Sequence, residues 1–307
     1  MYKPQPQDPT STNQPPVAPV QNPIAPAGAV RVLAPEGHFP QWLQDELKGL
    51  STFQVTTYSS ISQAKEKVVG QLFDLYLIPD RAVIEGIAHQ KFLPLPQGFM
   101  EPKELPIQTY LNHPLDPHNQ FSLPYGCTYY GFAYHKDALP KGIKSWKDLF
   151  AGDNFAQTDF PQDSELLYIL TLIAEGQVGK TDKKLDFKTP SSAQGEEFPL
   201  RVRTLSELRK LSPQNPAWQV VTPEDGSAIE LYHIALGALQ PPLGEIVKKF
   251  LNPLIAARIS EENQFSSTFK AVLNLQSQVT RKNLNPDSKW MDKAIFIRPP
   301  KAAKAHS

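Results

Sequence analysis

From Ala29 onward the apolar and polar positions fall into alternating strand and helix patterns. Val30-Arg31-Val32-Leu33 alternates as a short strand does, Ala34 to Pro40 predicts a loop, and Gln41 to Leu50 carries Trp42, Leu43 and Leu47 at helical spacing. Phe53 to Tyr58 predicts a second strand and Ile61 to Gln71 a second helix. Phe73 to Ile78 is nearly all apolar, the pattern of a strand buried on both faces of a parallel sheet, and it stops at Pro79-Asp80. Strands alternating with helices predict an α/β sheet whose functional loops follow the carboxyl ends of the strands, near Pro35–His38 and Pro79–Arg81.

Leu93 to His118 is loop-rich, and Phe121 to His135 is too aromatic and β-branched for a helix, so one or two long strands crossing the molecule are predicted there. Ser145 to Gly152 predicts a short helix with a serine cap and a glycine stop, followed by a strand near Asn154–Thr158 and a helix from Ser164 to Glu175. Arg201-Val202-Arg203 alternates like a half-buried strand, and Ala228–Leu231 is a further apolar strand. Before them, Lys188 to Phe198 is a polar linker rich in Ser, Gly and Glu.

Composition changes this picture at the amino terminus. The chain holds 31 prolines in 307 residues, about twice the average share of roughly 5%. Eight of them precede residue 27, where no apolar run exceeds two residues. Residues 1–28 are therefore expected to be a disordered, partly polyproline II spacer of about 3 Å per residue. A secretory signal needs a basic start and an apolar stretch, and this segment has neither. Either the protein is cytoplasmic, or a segment outside this chain exports or anchors it. Lys and Arg number 31 against 31 Asp and Glu, which excludes a generic binder of nucleic acid. The single cysteine, Cys127, excludes an internal disulfide.

Five motifs in order carry a resemblance. They are Phe73-Asp74-Leu75 to Pro79, then Ser122-Leu123-Pro124-Tyr125 with Gly131-Phe132-Ala133-Tyr134, then Ser145-Trp146-Lys147-Asp148-Leu149-Phe150. Val220 to Gly226 and Gly244 to Ile259 follow, the latter with Phe250-Leu251-Asn252-Pro253 at its centre. This series, traceable from about 29 to 275, resembles bacterial extracytoplasmic solute-binding proteins of the spermidine/putrescine type, which serve ABC importers. The resemblance implies an α/β, two-lobed, periplasmic-binding-protein-like (type II) clamp, with hinge strands between the lobes and a ligand in the cleft. Lobe one is then expected at 29–132 plus 230–263, and lobe two at 133–229 plus 264–307. It also implies a periplasmic or extracytoplasmic location and a membrane permease or envelope protein as partner.

In that family an amine lies between aromatic faces and is fixed by carboxylates, because cation–π contact and charge-assisted hydrogen bonds both reward a desolvated ammonium. Aligned on the motifs, the family's first-loop Trp-Thr falls at Pro35-Glu36, and its Ser-Thr-Tyr falls near Asp80, Arg81 and Ala82. The hinge tryptophan falls at Cys127, the lobe-two acid at Asp163, and a glutamate three residues on at Leu166. The Trp-Asn-Gly strand end falls at Thr204 to Ser206, and the late Trp-x-Asp pair at Glu230 and Tyr232. The aromatic box is thus mostly absent. The resemblance implies ligand-binding roles for Glu36, Asp80, Tyr125, Asp163, Thr204, Glu230 and Tyr232. The acids would favour a cationic, polyamine-like ligand and the tyrosines would supply rings; ordinary loop acids and helix caps are the competing account.

No cofactor or metal is expected. The seven histidines lack ligand spacing, and a strand sends Tyr129 and Tyr130 to opposite faces. Phosphate-cradling loops, a G-x-S-x-G elbow and an H-E-x-x-H pair are missing, so an enzyme is not expected. Two functions of different class remain: capture of a small polar or cationic solute for an importer, or a degenerate clamp that binds no ligand and serves as a tethered scaffold in an envelope assembly.

Overall fold

The computed structural model describes residues 28–96, 118–161, 163–176, 198–211, 215–239, 241–276 and 293–297, together with residues 106, 110, 111, 116, 284 and 290. The proline-rich spacer before residue 28, much of the loop-rich stretch 93–118, the polar linker 188–197 and the tail from 298 lie outside the described residues.

The chain opens with β1 (Ala29–Pro35), α1 (Gln41–Leu47), β2 (Thr52–Tyr58), α2 (Ile61–Gly70), β3 (Leu75–Pro79) and α3 (Asp80–Ala88). β1 pairs in parallel with β2 along its whole length, from Ala29↔Thr52 to Pro35↔Tyr58, and with β3 on its other edge. That pairing carries β1 two residues past the predicted Leu33. β3 is buried at every position, as its unbroken apolar run requires. The loop expected at Pro79–Arg81 is instead the start of α3: Pro79 holds an extended backbone and Asp80 supplies a carboxylate in the first turn. α2 begins where the Ser60 hydroxyl accepts from the Gln63 amide.

β4 (Ser122–His135) is a single strand of 14 residues. Its first half, through Tyr129, pairs antiparallel with β8 (Ala228–Leu236), and its second half, from Tyr130, pairs with β6 (Leu200–Thr204) and β7 (Trp218–Val221). Beyond β4 come α4 (Trp146–Phe150), β5 (Thr158–Asp159) and α5 (Ser164–Ala174), and α6 (Leu205–Leu211) follows β6 directly. The strand expected over Asn154–Thr158 is replaced by a 3-10 turn at Gly152–Asn154 and the two residues of β5. α4 carries a full capping box, Ser145 with Asp148. β8 runs five residues beyond the predicted Leu231 because β3 pairs with it through Leu236. The chain continues through α7 (Pro241–Phe250), α8 (Pro253–Asn263), β9 (Ser266–Ser267), α9 (Lys270–Leu275) and β10 (Ile295–Phe296).

Among the described residues the strand order is β2-β1-β3-β8-β4-β6-β5, with β10 on β8 and both β7 and β9 on β4. Two groups of apolar residues flank the β2-β1-β3-β8 end. One gathers Leu43, Leu77, Phe250 and Phe265 between the sheet and α1, α7, α8 and α9; the other gathers Tyr76, Val83 and Phe92 under α2 and α3. A separate core forms at the far end of β4, where Phe132, Trp146, Leu149, Leu170 and Val202 pack together. Fully burying one such side chain contributes about 1.5–3 kcal/mol, so each end has its own stabilising centre. β4 and β8 run from one centre to the other, and the result is a two-lobed α/β clamp joined by hinge strands.

Candidate functional site

Between the two cores lies a cleft of about 840 Å³, within the usual range for small-molecule sites. Pro35, Tyr58 and Pro79 line it from the first lobe and are the last residues of β1, β2 and β3. Ligand clefts of parallel sheets form at that edge because the strands end there and their loops diverge. Asp159 to Pro161, Asp163 and Thr204 line it from the second lobe, and Glu230 and Tyr232 from the crossing strand β8.

Of the expected site residues, Glu36, Asp163, Thr204, Glu230 and Tyr232 line this cleft. Asp80 and Tyr125 do not. Asp80 is 1% exposed, and its Oδ1 lies 3.1 Å from Nε2 of the fully buried His233. Nδ1 of that histidine shares a 3.1 Å hydrogen bond with the Ser122 hydroxyl, which donates to Asp116 at 3.0 Å. Asp116 also accepts the amides of Gln120, Phe121 and Ser122, so this chain of polar groups fixes the start of β4 beneath the sheet. Tyr125 stands behind the cleft wall, and its hydroxyl and Nδ1 of His38 share a hydrogen bond of 2.6 Å.

His38 does line the cleft, held among Tyr125, Tyr232 and Phe265, with the Phe265 ring stacked on it at 4.6 Å. Burial pushes its pKa down to about 3, with Lys210 adding to the effect, so the ring is neutral at physiological pH. His38 and Tyr232 thus line the cleft together, with Tyr125 and Phe265 behind them, and Tyr58, Tyr130 and Phe160 are the other aromatic residues of the lining. Tyr130 sends its ring to the second core and its hydroxyl to Glu230 at 3.4 Å, while Tyr129 packs against Trp290 on the opposite face. That is the alternation a strand imposes.

Four of the five acids along the cleft, Asp159, Asp163, Glu207 and Glu230, are engaged by the protein itself. Arg81, on the first turn of α3, donates to Asp163 at 2.5 Å and to Glu230 at 2.8 Å, and its Nη1 lies 3.8 Å from Glu165. The Arg81 and Glu230 side chains are 4% and 3% exposed, that of Asp163 19%. Asp163 also caps α5 by accepting the Leu166 amide. Arg203 holds Asp159 at 2.7 Å, and Glu207 accepts both the amide and the hydroxyl of Thr204. Burial works against the Arg81 charge, but Glu230, Tyr130 and Asp163 outweigh it, so the pKa is raised and the guanidinium stays protonated. Burial raises the pKa of Glu230, and Arg81 offsets that in part. Oε1 of Glu230 and Nε of Arg81 make no hydrogen bond among the described residues.

Arg81 is the functional candidate that motif spacing passed over. Its signal was a charged residue one turn beyond an all-apolar buried strand, where only a partnered charge is tolerated. Cys127 is fully buried, and burial raises its thiol pKa. Among the described residues no group of three His, Cys, Asp or Glu side chains could hold a metal ion, and no helix is long and apolar enough to cross a membrane.

No protein-family model and no curated protein sequence matches the chain. Solved structures do. A spermidine/putrescine ABC transporter substrate-binding protein from Streptococcus pneumoniae superposes with a TM-score of 0.69 at 16% identity, covering 88% of this chain and 92% of that one. A putative spermidine/putrescine ABC transporter protein from Listeria monocytogenes gives 0.71 at 15% identity over 88% and 93%. A periplasmic binding protein from A. tumefaciens R10, solved with agropinic acid, gives 0.65 at 14% identity over 89% and 93%. This chain therefore has the two-lobed fold of the type II periplasmic binding proteins.

Proposed function

We propose that this protein is an extracytoplasmic solute-binding protein that captures a small polar ligand in the interlobe cleft and presents it to an ABC-type importer. The observation that carries this reading is the cleft itself. It lies at the carboxyl ends of three parallel strands and between two independent cores, and both lobes contribute polar side chains to it. Such a site closes by hinge motion, because each lobe keeps its own packing while β4 and β8 flex between them. A permease is the partner that fits this role.

Glu36, His38, Asp163, Thr204, Glu230 and Tyr232 are the proposed cleft residues, with Arg81 beneath them holding Asp163 and Glu230. Of the acids along the lining, Asp163 and Glu230 are paired with Arg81 and Asp159 with Arg203. We place lobe one at 29–129 and 230–275. Phe265, Phe269 and Val272 pack in the first core, which supports counting 264–275 with lobe one.

Thermal-shift screening of the full chain against polyamines, amino acids, opines, sugars and small carboxylates tests the proposal. A solute at one hundred times its dissociation constant adds about 2.7 kcal/mol of stability, an easily read shift. A panel without a single shift, together with envelope proteins that co-purify with the chain, would favour a scaffold over a receptor.

A further inference from the structure

Two of the carboxylates expected to hold an ammonium in the cleft, Asp163 and Glu230, already hold a cation. Arg81 reaches from α3 in the first lobe to Asp163 at the head of α5 in the second, and to Glu230 on the strand that joins them. Its charge lies beneath the cleft floor, since Asp163, Glu230 and Tyr130 face the cleft and Arg81 does not. Two charge-assisted bonds to separate acids, made by a 4% exposed guanidinium, are the arrangement a bound diamine or guanidine would itself seek.

We infer that Arg81 is a specificity-determining residue: a cation built into the chain that fills the carboxylate subsite of the cleft and restricts the solute to one that brings no buried ammonium. The solute class is then neutral or anionic, bound through the hydroxyl and amide groups of the lining and the cation Lys210. A second consequence follows from the same bonds. Because Arg81 joins α3 to α5, it ties the two lobes together beneath the cleft. This assignment of solute class rests on the reading of the cleft as a capture site; the occupation of the subsite by Arg81 does not.

The test titrates putrescine, a simple diamine, into the full wild-type chain and into Arg81→Gln, followed by calorimetry and thermal shift. Arg81→Gln frees both carboxylates and is expected to bind putrescine about tenfold or more tightly than wild type, the worth of one charge-assisted hydrogen bond. Ethylguanidinium at millimolar concentration is expected to raise the melting temperature of Arg81→Gln and leave that of wild type unchanged. Should Arg81→Gln fail to fold, the pair Arg81→Gln with Glu230→Gln removes the buried acid along with its partner. Putrescine should then raise the melting temperature of that variant through the freed Asp163, and no rise overturns the inference. Tight putrescine binding by wild type that Arg81→Gln weakens or leaves equal also overturns it, while solute capture stands. Gain of putrescine binding by Arg81→Gln, with no panel solute shifting wild type, keeps the inference and removes the capture reading.

Discussion

Asp163 carries two separable jobs, and substitution can tell them apart. Its carboxylate accepts the Leu166 amide at 3.0 Å, capping α5, and accepts from Arg81 at 2.5 Å across the cleft. Asp163→Asn keeps an oxygen for the cap but removes the charge. A hydrogen bond to a charged group contributes about 1.5–3 kcal/mol, and the side chain is 19% exposed while Arg81 keeps Glu230. The expected loss is therefore about 1–3 kcal/mol, below the roughly 3–5 kcal/mol of a fully buried pair broken on one side. Asp163→Ala removes the cap as well, for about 1 kcal/mol more. Urea unfolding followed by fluorescence and by far-ultraviolet circular dichroism measures both, provided the two transitions coincide and the slope is unchanged. A cycle with Arg81→Gln isolates the coupling of the pair. If Asp163→Asn stays within about 0.5 kcal/mol of wild type and Asp163→Ala loses only the cap's share, Asp163 is a helix cap alone and the interlobe bond has no energetic weight.

Three further outcomes follow from the packing. Trp146 is fully buried, lies edge-to-face with Phe132 and donates to the Gly226 carbonyl at 2.9 Å. Trp146→Ala is expected to cost about 3–5 kcal/mol by chemical denaturation, and a loss under 1 kcal/mol would contradict the second core. Gly237→Ala would place a methyl 2.1 Å from the Phe73 carbonyl oxygen and 2.8 Å from the Tyr76 ring, so a drop of about 1–3 kcal/mol or poor expression is expected, and wild-type stability would refute that close approach. His38 titrates near 3 when folded and near 6.5 when unfolded, so the unfolded chain takes up a proton as pH falls through 6.5 while the folded chain does not. Stability present above pH 6.5 is therefore lost towards pH 3. Between pH 6 and pH 4 the wild type should lose stability more steeply than His38→Gln, by up to about 1.4 kcal/mol per pH unit, and parallel slopes would contradict a buried neutral His38.

Much of the fold was legible because burial writes directly into the pattern. The all-apolar run that became β3, the aromatic run that became β4 and the Ser145 cap of α4 each depend on local chemistry that a sequence displays. The extension of β1 to Pro35 and of β8 to Leu236 was not legible, since both come from partner strands distant in the chain. The site divided in the same way. Glu36, Asp163 and Thr204 stand together because each sits at a strand end or helix start that motif order could locate, and Glu230 and Tyr232 join them from within the crossing strand β8. Asp80 and Arg81 are neighbours in sequence, yet the first turn of α3 sends one to His233 beneath the sheet and the other towards the cleft acids. Nothing in the spacing of residues 79–82 tells those two directions apart.

Isothermal titration into wild type and Tyr232→Ala, using whichever solute the thermal-shift panel selects, tests solute capture most directly. Tyr232 presents its ring to the cleft beside His38. One solute per chain is expected, with a negative heat-capacity change from apolar burial and affinity at least about tenfold weaker in Tyr232→Ala. Equal affinity in the variant, or no heat from any solute in the panel, would contradict capture in this cleft.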